Sequence, residues 1–536
     1  MSESEIFDYI VVGAGSAGCV LASRLSASGR HRVLLLEAGG KDTNPWIHVP
    51  IGYAKLFTDA RVNWLYQSEP EPELNNRQIM QPRGRVLGGS SSINGLLYVR
   101  GQKEDFDHWR QLGNPGWSYE DVLPYFKKSE DQKRGADAFH GAGGPLAVCD
   151  PSEPHPLCEA FIEAAGQRGI PRTDDFNGAT QEGAGYFQMT ARNGWRCSAA
   201  VGYLKPARGR ANLKIATRAL ASRVLFDGRR AVGVEYLQNG VERAARARGE
   251  VILAGGAFNS PQLLQLSGLG PADLLKQHAI PVIADLPQVG SDLQDHLQVR
   301  LVYRCTQPIT VNDEVGSLWR KAMAGLRYIF LRKGLMTLSA GYAGAFFKTD
   351  RRMATPDVQV HFLLFSLDKM GEKLHDFPGF IANICQLRPE SRGTLRIKSA
   401  DPTAAPAIRP NYLSTELDRR TMVAGLKELR AIMRTPAMRP YILSEYLPGD
   451  AVASDDAYLA YCRQYASTIY HPTSTCRMGS DARAVVDPRL RVHGFAALRV
   501  ADASVMPTVV SGNTNAACIM IGEKAADMIL QDAAGH

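Results

Sequence analysis

"DYIVVGAGSAGCVLASRLSASGRHRVLLLEAGG", residues 8–40, reads as a buried strand, a glycine turn, a helix and a second buried strand. That order is the opening βαβ unit of a dinucleotide-binding fold. Gly13, Gly15 and Gly18 form G-x-G-x-x-G: the first permits the tight turn, the second admits a pyrophosphate against the backbone, and the third lets helix and strand pack closely. Glu37 closes the second strand nineteen residues after Gly18, where a carboxylate accepts both ribose hydroxyls of an adenosine. A lone glycine pattern is weak in a chain with 50 glycines, but placement between strand and helix, with the acid at that distance, favours a dinucleotide site. NAD and FAD both stay open, since each uses the positive helix N-terminus.

The chain around this motif has 536 residues, more than one core usually organises, which predicts two intertwined domains or one large domain with insertions. Its 45% hydrophobic and 22% charged content is that of a globular protein, and no run of eighteen apolar residues exists to span a bilayer. The net charge of +8 is spread among acids without a basic tail or patch, which argues against nucleic acid as a partner. Nine cysteines without a C-x-x-C pair exclude a disulfide framework and a zinc site, and no metal site is expected. Reduced thiols and an N-terminus without a secretory pattern predict a cytoplasmic protein. The densest basic stretch, "WRKAMAGLRYIFLRKGL" (319–335), has helical apolar spacing at Trp319, Met323, Leu326, Ile329 and Phe330. The preferred reading is a surface helix resting that side on the core, with peripheral contact at the inner membrane face as the alternative.

Two more stretches offer backbone to an extended anion. "PRGRVLGGSSSINGLLYVRG" (82–101) gathers Gly84, Gly88, Gly89, three serines and Asn94 before an apolar run. "GEVILAGGAFNSPQLLQLSGLG" (249–270) is a buried strand ending at Gly255-Gly256 and a helix opening near Asn259-Ser260-Pro261, which any α/β unit could supply.

"GRVLGGSSSIN" and "GAFNSPQLLQLSGLG" match two signatures of the glucose-methanol-choline (GMC) oxidoreductase family, which the chain resembles along essentially its whole length. "DLPQVGSDLQDH" (285–296), "YHPTSTCRMG", "VVDPRLRVHG" and "LRVADASVMPTVVSGNTNAACIMIGEKAADMI" continue the likeness in order. The resemblance implies an α/β, α+β overall, FAD enzyme: a Rossmann-like FAD-binding domain with an antiparallel-sheet substrate domain. FAD segments are expected over 1–155, 205–300 and 465–536, and substrate-domain segments over 156–204 and 301–464. It also implies that Ser16, Ala17, Ala38, Val86, Ser91, Gly95 and Leu96 join Gly13, Gly15, Gly18, Glu37, Gly88, Gly89 and Asn94 at the cofactor. Val224 is expected at adenine, Asp502 and Ala503 along the ribityl and phosphate part, and Asn513 and Thr514 at the flavin. Some family members tether flavin through a histidine where this chain has Ile93, so the FAD is expected to be non-covalent.

One of twelve histidines is ordinarily structural, but His471 opens the stretch resembling the family's catalytic-histidine motif, and Pro472 restricts its backbone. The family pairs that histidine with a His or Asn, which falls on Asn513, with Asn515 as its near neighbour. A neutral imidazole takes the hydroxyl proton while hydride leaves for flavin, and an amide steadies the developing alkoxide.

"TNPWIHVPIGYAKL", "NWLYQSEPE" and the "TIYHP" and "TCRMG" pieces of the histidine stretch carry a likeness to the bacterial choline-dehydrogenase-like and primary-alkanol dehydrogenase branch. Tyr342 stands where the choline enzymes are expected to carry a glutamate, so a neutral primary alcohol is preferred, with an apolar pocket built from "DVQVHFLLFSLDKMG" (357–371), Phe346 and Phe347. Tyr342, Phe365 and Tyr470 are the candidate substrate contacts. The expected acceptor is a quinone or other carrier; an oxidase making peroxide, a choline dehydrogenase and a lyase are the alternatives.

Overall fold

A computed structural model describes residues 5–534. Its first sheet has seven strands in the order Leu213–Thr217, Val33–Glu37, Glu5–Val12, Val241–Leu253, Arg230–Gln238 and Ala219–Asp227, with Leu498–Val500 also paired to Val241–Leu253. The strands as far as Val241–Leu253, and Leu498–Val500 beside it, run parallel, and the last two close an antiparallel meander. Val33–Glu37 is buried at all five positions, the uninterrupted apolar pattern of a parallel strand covered on both faces. The covering helices are Ser16–Leu25 and Thr514–Ala534, which cross where Gly522 lacks a side chain: a Cβ there would meet Ala17 O at 3.0 Å. Arg24 then pairs with the buried Glu523 at 2.7 Å, tying the first βαβ unit to the last helix.

The second sheet is antiparallel, in the order Ile442–Leu447, Leu297–Cys305, Gly379–Gln386, Val358–Leu363, Ala343–Phe347 and Gly183–Tyr186. Leu297–Cys305 crosses the 300/301 division drawn from sequence, and its partner Ser467–Thr468 comes from beyond residue 464. Strand alternation sorts the side chains. Val358, Val360 and Phe362 pack into a core with helices Pro156–Gln167 and Glu416–Met433, so Gln359 and His361 are left for the opposite face. Across that face the register sets His361 beside Asn383 and Asn383 beside Arg300.

Helix Leu318–Leu331 corrects an expectation. Only Tyr328 on it is buried, while Leu318 (84%), Trp319 (72%) and Phe330 (77%) stand in solvent. The helix packs chiefly on its neighbours Val311–Val315 and Leu335–Thr337, short elements that bury Tyr328 and leave the apolar side open. Among the described residues no helix is long and apolar enough to cross a membrane, and the nine cysteines are free.

Candidate active site

A cavity of about 320 Å³ runs from the glycine turn of the first sheet to the inner face of the second. Glycine shapes its near end. Gly13 has φ +102° and a Cβ there would lie 2.5 Å from Ala254 O; Gly89 has φ +52° and its Cβ would lie 2.7 Å from Gly15 Cα. The loop after residue 82 is thereby pressed onto the first turn. Ser16–Leu25 begins at Gly15 without a side-chain cap, and Gly256–Leu266 and Thr514–Ala534 begin at the same cavity, so three helix N-termini face it.

Gly13, Gly15, Ser16, Ala17, Glu37, Ala38, Gly89, Asn94, Gly95, Leu96, Asp502, Ala503, Asn513 and Thr514 all line this cavity. Glu37 accepts from Ala14 N (2.9 Å) and Gly39 N (2.8 Å), and burial pushes its carboxyl up to about 7 against those bonds. Asp502 accepts from Gly256 N, Ser260 and Ser504, binding the last βα turn to the Gly256 helix. Five expected cofactor residues lie behind the wall. Gly18 fits against Gly13 O, Val86 bridges to Gly40, and Gly88 packs on Ser92 and Ala200. Ser91 Oγ is spent on Gly88 O and Ala199 N. Val224 is replaced at the cavity by Ala219, Leu220 and Ala221, because only the start of strand Ala219–Asp227 reaches it.

The far end holds the polar constellation. His471 is 7% exposed, and its backbone is set by Tyr470, a non-glycine residue at φ 72° pinned between Thr468 Oγ1 (2.7 Å, accepting from Tyr470 N) and Arg83 Nη2 (2.6 Å, donating to Tyr470 O). Buried Asp295 accepts from the N–H of His471 (2.7 Å) and of His296 (2.9 Å), and from Thr468 and Tyr412 hydroxyls, so one carboxylate fixes both histidine backbones.

The histidine tautomers follow from partners. His296 Nε2 faces Leu387 O at 2.9 Å and must donate, which leaves Nδ1 of the neutral ring as an acceptor. His471 Nδ1, 3.0 Å away, therefore donates to it, and His471 Nε2 keeps its lone pair. Burial, reinforced by His296, His361 and Arg83, holds the His471 pKa well below its ordinary value, and burial lowers His296 to about 4. Asn513 Nδ2 lies 3.2 Å from that Nε2, and its Oδ1 accepts from Gln359 Nε2 at 3.3 Å, which orients the amide. Asn515 is engaged elsewhere, accepting from Ser16 Oγ at 2.7 Å. An alcohol oxygen entering between Asn513 and His471 would accept from the amide and give its proton to Nε2.

Tyr470 lines the cavity beside His471, whereas Tyr342 and Phe365 do not. Tyr342 donates to Glu153 O at 2.7 Å and packs edge-on to Tyr186; Phe365 belongs to the substrate-sheet core. Phe346 likewise packs with Phe176, 5.0 Å between ring centroids, and Phe347 joins that core. The wall expected to be greasy is instead mixed, carrying Gln298, Arg300, His361 and Asn383 with Leu363 and Ile381. Asp295, His296, Gln359 and His361 escaped the sequence reading. Alternation within "DVQVHFLLF" was the signal that could have separated Gln359 and His361 from the core residues.

The sequence profile described as GMC oxidoreductase matches residues 7–298 with its N-terminal part and 389–522 with its C-terminal part. An alcohol dehydrogenase (acceptor) of Pseudomonas putida is 46% identical over 529 residues, covering 98% of this chain and 96% of that protein. The mitochondrial choline dehydrogenase of Homo sapiens is 46% identical over 532 residues, covering 98% and 89%. Among solved structures, pyridoxine 4-oxidase from Mesorbium loti superposes with a TM-score of 0.89 at 31% identity over 99% of both chains.

Proposed function

Because the chain belongs to the GMC oxidoreductase family, an FAD-dependent group that includes alcohol and choline dehydrogenases, we propose that it oxidises a primary alcohol to the aldehyde with His471 as base. The observation that carries this reading is the chain Leu387 O, His296, His471, which leaves an unprotonated Nε2 opposite Asn513 in the cavity. The glycine cradle, the three helix starts at the cavity and Glu37 fit FAD: they would hold its pyrophosphate, flavin edge and ribose. When bound, FAD supplies the hydride acceptor at flavin N5. His471 Nε2 takes the hydroxyl proton, and Asn513 and the start of helix Thr514–Ala534 stabilise the negative charge that develops.

Three finer points complete the proposal. The FAD is dissociable: Ile93 at the cavity offers no nucleophile, and burial keeps the Cys518 thiol protonated, its pKa raised to about 12. The substrate is not a quaternary ammonium, since the carboxylates lining the cavity, Glu37 and Asp502, are both engaged at the cofactor end. Electrons pass to a membrane quinone, with helix Leu318–Leu331 lying on an anionic lipid surface: its exposed Leu318, Trp319 and Phe330 would enter the headgroup boundary while its Arg320 and Lys321, and Lys333 just past its end, meet lipid phosphates.

Anaerobic mixing with hexanol followed by admission of air tests the acceptor. Flavin absorbance that bleaches and stays bleached in air until a quinone is added is the expected result. Rapid recolouring with peroxide would make the protein an oxidase, and flavin that no alcohol bleaches would favour the lyase reading.

A further inference from the structure

Arg300 sits in the middle of strand Leu297–Cys305, 8% exposed, on the face that lines the cavity. Its side chain makes one hydrogen bond, from Nη1 to Asp368 O at 2.9 Å, and among the described residues no carboxylate lies within 4.0 Å of it. Asp368 and Glu372 act on it only from farther off, and a guanidinium does not deprotonate to escape burial, so one without a contacting carboxylate is costly at a cavity wall unless an anion completes the site. The bond to Asp368 uses Nη1 and leaves the Nε and Nη2 edge, the fork that matches a carboxylate with two parallel N–H···O bonds.

The neighbours of Arg300 suit the same ligand. Asn383, its register partner, has no acceptor for its amide nitrogen among the described residues, so that N–H can donate to the same anion, while its buried Oδ1 is left for a donor. Gln298 Nε2 is fixed on Thr468 O. The row Arg300, Asn383, His361 crosses three adjacent strands, about 10 Å in all, from the guanidinium to the ring that acts electrostatically on His471. Leu363 and Ile381 form the next row and offer an apolar bed between the two ends.

We propose that this wall is an anion subsite, and that the substrate is a medium-chain primary alcohol carrying a carboxylate at its far end. The inference rests on the alcohol-oxidation reading above. The carboxylate takes the open edge of Arg300 with the Asn383 amide, the methylenes lie on Leu363 and Ile381, and the hydroxyl reaches Asn513 and His471. The reaction stays balanced as before: the hydroxyl proton goes to His471, the hydride to bound FAD, and the product is an ω-oxo acid. The class of reaction that supplies such a substrate is terminal hydroxylation of a carboxylic acid.

The test compares ω-hydroxyhexanoate, its methyl ester and hexanol as anaerobic reductants of the holoenzyme, for wild type, Arg300→Gln and Arg300→Lys. A charged hydrogen bond lost in the ester predicts an acid-to-ester preference of at least about 10-fold in wild type. That ratio should collapse towards one in Arg300→Gln and return in part in Arg300→Lys. An Arg300 that merely anchors the Asp368 backbone would lower all three substrates together and leave the ratio intact, which overturns the proposal, as would a wild type preferring the ester. If none of the three bleaches the flavin, the alcohol-oxidation reading fails, and hexanoate against hexanamide still reads the subsite through perturbation of bound-flavin absorbance. Hexanoate binding at least about 10-fold tighter supports the subsite, and equal binding overturns it.

Discussion

His471 and His296 meet Nδ1 to Nδ1 at 3.0 Å, a contact that only one proton can occupy. The Leu387 carbonyl decides which ring holds it, because His296 must spend its own proton there. On the proposed mechanism His296 is a positioning residue that selects the His471 tautomer with a free Nε2. Replacing it with Ala should lower the rate of flavin reduction by at least about 10²-fold with FAD content unchanged, the scale of losing an oriented base. Stopped-flow reduction checks this, and His296→Asn, whose amide oxygen still accepts from His471 Nδ1, should recover part of the rate.

The pH profile has a definite sign. A protonated His471 cannot accept the hydroxyl proton, so kcat/KM falls as pH drops through its pKa. Burial and the neighbouring His296, His361 and Arg83 hold that pKa well below its ordinary value. The acid limb of kcat/KM should therefore lie below about pH 6.5. A limb centred at or above neutrality would contradict the environment described for this ring.

Gly89 has no room for a side chain, since a Cβ would lie 2.7 Å from Gly15 Cα in a left-handed backbone. Gly89→Ala should open the contact between the two cofactor loops and yield protein with little FAD. The ratio of 450 nm to 280 nm absorbance after desalting reads this directly, about 450 nm being a flavin property. A fully yellow variant would remove the cradle from the cofactor site.

Helix Leu318–Leu331 should carry the protein onto anionic vesicles. Trp319→Ser with Phe330→Ser removes two exposed aromatic rings and should weaken co-sedimentation with phosphatidylglycerol vesicles by at least about 10-fold. Wild-type protein that ignores these vesicles at low salt would remove the lipid contact from the account.

The first sheet was legible because its signals are local. Residues 8–40 carry strand period, glycine turn, helix and acid within one unit, and Glu37 reaches the cavity as its spacing demands. His471 and Asn513 were legible through resemblance, and the fold brings their side chains to 3.2 Å. The substrate wall was not, because it is made by register between strands far apart in sequence: Arg300, Asn383 and His361 become neighbours only through pairing. Val224 missed the cavity because a strand reaches a site at one end alone, and Ala219 to Ala221 are that end. Helix Leu318–Leu331 has the period of a core-facing helix, and periodicity does not say whether protein or something else covers the apolar side.

On the proposed mechanism His471 is the base for alcohol oxidation by a bound flavin. Anaerobic single-turnover reduction by a primary alcohol, wild type against His471→Gln, tests it most directly. Equal FAD content and flavin spectra are expected in both proteins, with bleaching slowed at least about 10²-fold in the variant. Bleaching at the same rate in an FAD-loaded His471→Gln protein would contradict it.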